Sequence, residues 1–141
     1  MCFLCFLVDH QTKRLVPFFG KASVLSNMFQ AEGMEVRIFG ETFSASELAY
    51  TFSKSFLFED EQTWNDILSM DDPFAAKARA KAFRIRGFLV RKWDIVATPI
   101  MIGILMAKFQ QNPSAKQALL DLAEKVLLEA NPSDGAWGGF V

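Results

Sequence analysis

The first third of the chain alternates short β-rich runs with polar clusters, and the remainder carries apolar residues at the three- and four-residue spacing of helices. Residues 5–8 and 14–18 are β-rich and flank Asp9-His10-Gln11-Thr12-Lys13, which predicts a hairpin. A second hairpin is predicted where residues 36–39 and 42–43 flank Gly40-Glu41, Gly40 being able to take positive φ. At Ser44 the period changes. Ser44-Ala45-Ser46-Glu47 has the form of a capping box, Ser44 capping a helix and Glu47 reaching back to its backbone N–H. The helix so opened runs to about Phe58, with Leu48, Phe52 and Phe56 directed at the core and Glu47, Thr51 and Lys54 sharing another face.

Asp72-Pro73 and Thr98-Pro99 each place a capping side chain before a proline at the first helical position, so two further helices are expected to begin there. A shorter helix is expected over residues 64–70. Ser114 to Gln117 repeats the capping-box pattern and opens an amphipathic helix through Leu119, Leu120, Ala123, Val126 and Leu127. The tail from Asn131 to Val141 is turn-rich. No repeat, low-complexity tract or Pro/Gly-rich linker interrupts the chain. The expectation is a single α+β domain over residues 1–141, mainly helical, with a small N-terminal antiparallel sheet.

Composition narrows the function classes. Hydrophobic residues make up 51% of the chain and 15 are Phe, which excludes a disordered or linker-like chain and predicts an aromatic-rich core. A formal charge of −1 gives no long-range pull toward nucleic acid or an anionic membrane, yet the charge is unevenly placed. Lys77, Arg79, Lys81, Arg84, Arg86, Arg91 and Lys92 follow one another without an intervening acid. Such a segment suits phosphate, but on one helix Lys77, Lys81 and Arg84 form a stripe while Arg79 and Arg86 face elsewhere. The alternative is a solvated helix face. Residues 1–8 are apolar but far shorter than a membrane span and without a basic leader, so a cytoplasmic protein is expected. Cys2 and Cys5 form one C-x-x-C with His10 as the sole histidine, too few ligands for a zinc site; no metal and no cofactor is expected.

Several ordered segments resemble a known family. Leu25-Ser26-Asn27-Met28-Phe29, then Phe43 through Tyr50 with Lys54, look like the first half of the YbiA-like or NADAR superfamily. Pro73 with Ala76-Lys77, Trp93, Met101, Lys108-Phe109-Gln110-Gln111-Asn112, Leu128-Glu129-Ala130 and Asp134-Gly135-Ala136-Trp137-Gly138 continue it in order. The resemblance implies a mainly helical α+β fold and N-glycosidase activity, either on phosphorylated ribosylamino-pyrimidine intermediates of riboflavin synthesis or on ADP-ribose attached to guanine in nucleic acid. Two departures stand out: Leu48 follows the motif glutamate where the family usually has His, and the chain ends at Val141 where many members continue, which leads us to expect a more open pocket.

Breaking a C1′–N bond builds positive charge on the sugar and negative charge on the departing base, so the site needs an anion near the ribose and a proton donor near the base. By the resemblance, Glu47 is the first carboxylate, activating water or stabilising the sugar cation, and Asp134 the second, steering water or contacting ribose. Glu47 has its capping role as the alternative, and Asp134 a turn before Gly135. Trp93 and Trp137 would wall off the base, core packing being the alternative. Lys54 would meet a phosphate or tune Glu47, Asn27 would bond ribose or base, and Phe19-Gly20 would line the mouth. Lys108 and Asn112 are expected to serve a helix end. The expected partner is a nucleotide-like small molecule or ADP-ribosylated nucleic acid, with no membrane and no oligomeric state legible. A non-catalytic module binding ADP-ribose or a nucleotide is the rival reading.

Overall fold

A computed structural model describes residues 15–81 and 84–131. Among them are strands β1 (Leu15–Phe18), β2 (Val36–Ile38), β3 (Glu41–Phe43) and β4 (Val126–Glu129), and helices α1 (Ser46–Leu57), α2 (Glu61–Leu68), α3 (Pro73–Arg79), α4 (Val90–Gln111) and α5 (Pro113–Leu120). The fold is mainly helical α+β, as expected. Residues 1–14, with the first strand of the expected N-terminal hairpin and the Cys2 and Cys5 thiols, lie outside the described residues.

The second hairpin forms as read, one residue earlier: β2 and β3 pair antiparallel with Val36 opposite Phe43 and Ile38 opposite Glu41. The turn is Phe39-Gly40, at φ +58° and +80°, the two left-handed residues that match strand twist in a two-residue loop. Its open edge is covered by two consecutive side-chain amides from the end of α4. Gln111 accepts from Arg37 N (2.8 Å) and donates to Arg37 O (2.9 Å); Asn112 accepts from Glu35 N (3.0 Å) and donates to Glu35 O (2.7 Å). Amides standing in for a third strand occupy the backbone groups of Glu35 and Arg37 that another chain could otherwise pair.

α1 is the hub, with nine of its 12 residues buried. A helix buried nearly all round must silence its own hydroxyls. Thr51, Ser53 and Ser55 do so by donating to carbonyls three or four residues back, at 2.7–2.9 Å for the shortest bonds, and the buried Ser46 hydroxyl is the exception among the described residues. Phe52 and Leu48 enter the core with Ile67, Trp93, Met101 and Ile104. Phe56 does not: it remains 57% exposed at the rim, with Trp64 tilted against it at 5.2 Å.

Three local expectations are corrected by tertiary contacts. Ser44 does not cap α1; Ala45 occupies that place without a side-chain bond, and the Ser44 hydroxyl accepts from Gln30 Nε2 (2.8 Å). Thr98-Pro99 does not open a helix, because α4 has begun at Val90 and runs through Pro99. The lost N–H bond falls on the exposed side, where water can satisfy the Ile95 carbonyl, while Trp93, Ala97, Met101 and Ile104 anchor the buried side. Finally, the helix expected through Val126 and Leu127 stops at Leu120, and Ser114 is not its cap, since α5 opens at Pro113. Val126–Glu129 is a strand parallel to β1, Leu15 opposite Val126 and Phe18 opposite Glu129. A short apolar run fits either period, and the ladder to β1 decides. Asp72 does cap α3, accepting from Phe74 N (3.2 Å), with Pro73 first in the helix.

Asp60 locks α2 to the segment that leads into α4. Its buried carboxylate accepts from Thr63 N (3.3 Å), Thr63 Oγ1 (2.7 Å) and Arg86 N (3.0 Å). Burial raises its carboxyl, and the bonds from Thr63 and Arg86 outweigh that, holding it below the ordinary carboxylate range. A depressed carboxyl contributes stability above its unfolded value and loses it as pH falls through the folded one. Asp60→Ala should therefore cost about 2–3 kcal/mol in urea unfolding at pH 7, and part of the wild-type loss of stability below about pH 4 should vanish.

Candidate active site

Glu47, Tyr50, Thr51 and Lys54 recur every three or four residues on α1, so they share one face, and that face lines a cavity of about 520 Å³. The periodicity was visible in the chain; what it faces was not. The opposite wall comes from α4 through Trp93 and Met101, and the mouth from Phe19 and Gly20 after β1. Gly20 sits at φ +69°, which lets the chain turn sharply away from β1 at the opening.

Glu47 lies in the first turn of α1, 6% exposed, where the positive end of the helix favours a carboxylate. Its backbone N–H, one of those a helix start leaves unpaired, donates to Asn27 O (2.9 Å). The cap of this helix is thus supplied by a distant loop. Asn27 also donates from Nδ2 toward Met101 Sδ (3.6 Å), so this loop bridges α1 and α4 at the cavity floor.

Lys54 points its amine over the Trp93 ring at 5.1 Å and the Tyr50 ring at 5.6 Å, and those rings tilt against each other at 5.2 Å. Burial lowers the Lys54 amine, Glu47 pulls it back up, and Lys77 lowers it again, so acid and amine share one field. Trp93 is 7% exposed: it packs in the core and presents a wall to the cavity at once.

The cavity also gathers residues that sequence reasoning had not placed there. Lys77 and Lys81, four apart, reach it from the α3 side, whereas Arg79 turns away to Asp66 (2.7 Å) and Lys92 lies over Phe58 (5.4 Å). The stripe read for Lys77 and Lys81 was the available signal. Glu129 and Asn131 reach it from the end of β4, beside Phe18. The sequence pattern reads as helix up to Leu127 and as a turn-rich tail from Asn131, with no strand between them to give either residue a facing. Leu48, at the departure from the family pattern, is buried in the core and does not line this cavity. Asp134 and Trp137 lie outside the described residues. A neighbouring apolar groove of about 660 Å³ shares Asn27, Met101 and Glu129 but lacks the lysines. Among the described residues, no cluster of His, Cys, Asp or Glu could hold a metal, and no helix is long and apolar enough to cross a membrane.

Fold and cavity together define a class: a mainly helical α+β protein that holds carboxylates, lysines and aromatic rings around one chamber. The chain belongs to the NADAR domain family, whose family model matches residues 11–140. It is 26% identical to N-glycosidase YbiA of Escherichia coli over 88% of this chain and 74% of that one. It is 25% identical to protein irg-1 of Caenorhabditis elegans over 94% of this chain and 68% of that one. The NMR structure of the E. coli protein YbiA matches at a TM-score of 0.71 with 25% identity, covering 89% of this chain and 71% of that one. The names of YbiA and of a Nostoc punctiforme relative make N-glycosidase activity a property found in this family.

Proposed function

We propose that this chain is an N-glycosidase that hydrolyses the C1′–N bond of a nucleotide-like, phosphate-bearing substrate. The observation that carries the reading is the convergence of Glu47, Lys54 and Trp93 on one cavity. In this reading Glu47 takes the proton of an attacking water or stabilises the ribose cation as the bond lengthens. The Trp93 and Tyr50 faces hold the planar base, giving apolar area with few rotors to freeze. Asn27 bonds the ribose, and Lys54, Lys77 and Lys81 offer cations to phosphate oxygens. Family resemblance adds Asp134 as the second acid and Trp137 as a further wall, with Phe19 and Gly20 at the mouth.

Two substrates fit that chemistry: a ribosylamino-pyrimidine phosphate, and ADP-ribose on guanine in nucleic acid. Each is offered to the protein and released base is measured by chromatography and mass spectrometry. Release from one selects the branch. If nucleic acid is the substrate, binding should weaken steeply with salt, whereas a small nucleotide should show a shallow slope. Tight binding of either without base release would replace the reading with a non-catalytic nucleotide-binding module.

A further inference from the structure

We propose that Lys108, which lines no part of the cavity, is a positioning residue that holds Asn27 and the first turn of α1 where Glu47 must act. This rests on the glycosidase reading of the cavity. Lys108 is 0% exposed near the end of α4, an expensive place for an ammonium group. A core position that needed only volume would be filled as well by Leu or Met. What the amine adds is specific: Nζ donates to Ser26 O at 2.8 Å, and the Phe109 ring lies 5.1 Å away.

The Ser26 carbonyl is the start of a short mechanical chain. The next residue is Asn27, whose own carbonyl accepts the Glu47 N–H at 2.9 Å. The Asn27 side chain is held from the same helix by Met101, and the Ser26 hydroxyl accepts Met28 N at 3.1 Å, tightening the turn. Ser26, Asn27 and Met28 all face the cavity. α4 therefore grips this loop at two points seven residues apart, and the loop caps the helix that carries the carboxylate. Burial lowers the Lys108 amine to about 8, and in either protonation state it has an N–H to donate to the Ser26 carbonyl.

The test uses Lys108→Met, which keeps apolar bulk without the donor, and Lys108→Gln, which keeps an N–H donor; both side chains are one atom shorter than lysine, so they differ in the donor and not in reach. Lys108→Met should lower kcat about 10–100-fold, the effect of misplacing a reacting group by a fraction of an ångström to an ångström, with KM nearly unchanged. Lys108→Gln should recover part of that loss. Independently of activity, amide hydrogen exchange followed by NMR should show Glu47 N–H losing protection by about tenfold while the Phe52 amide, deep in the same helix, holds. Unchanged turnover with unchanged Glu47 protection overturns the proposal, and so does an even loss of protection along all of α1, which would mark Lys108 as a general stabiliser. Wild-type inactivity on every substrate offered would sink the glycosidase reading alone, because the exchange pattern still decides the positioning role.

Discussion

Glu47→Gln should leave a folded protein that has lost most of its hydrolysis, with turnover down about 10²–10⁴-fold, the range for removing a general base. The amide has the carboxylate's shape and keeps an acceptor, and the Glu47 N–H bond to Asn27 O belongs to the backbone and survives. What disappears is the charge, and with it the ability to take a proton from water or face a developing ribose cation. Loss of the favourable interaction with the helix start costs only about 0.3–1 kcal/mol, so the melting temperature should move little. Base release against time, with a melting curve of the same preparation, makes the comparison. Turnover equal to wild type in the variant would remove Glu47 from the chemistry and leave the cavity without its central acid.

Trp93→Ala should strike stability and catalysis together. Its ring is 7% exposed among core residues, packs against Tyr50 and lies beneath the Lys54 amine, so truncation opens a void and frees both neighbours. The loss in urea unfolding should be about 3–5 kcal/mol, the usual cost of emptying a buried aromatic position. Trp93→Phe should restore most of the stability while leaving a smaller wall for the base, seen as a raised KM. A Trp93→Ala protein that melts as wild type and binds substrate equally well would show that the ring neither packs the core nor walls the site.

At Lys54 core packing and the proposed site meet. The same amine lies over two core rings, shares a field with Glu47 and meets the positive Lys77. Lys108 lies outside the cavity, its amine donating to the Ser26 carbonyl beside the Phe109 ring. The family segments that hold it, Lys108 to Asn112, prove to be fasteners: one end grips the Ser26 loop and the other covers the β2 edge. Asn112 also donates to the Lys108 carbonyl (2.7 Å), the helix-end role expected of it, whereas Lys108 reaches across the fold instead of serving its own helix end.

Local pattern by itself determined the elements whose signals lie within a few residues. The hairpin turn at Gly40, read one residue late, the Asp72-Pro73 cap and the three- and four-residue spacing that puts Glu47, Thr51 and Lys54 on one side of α1 are all short-range, and each was legible in the chain. Tertiary structure decided what those signals could not reach. The cap on the Glu47 helix comes from Asn27, twenty positions earlier, and so Ser44 is released to Gln30. Pro99 stays inside a helix because four buried side chains on the other face hold it there. Val126–Glu129 is a strand because β1, more than a hundred residues before it, offers a ladder, and that pairing carries Glu129 to the cavity. A period records which residues share a face, whereas the partner of that face is chosen by the free energy of burying it and of pairing every backbone group the fold takes from water.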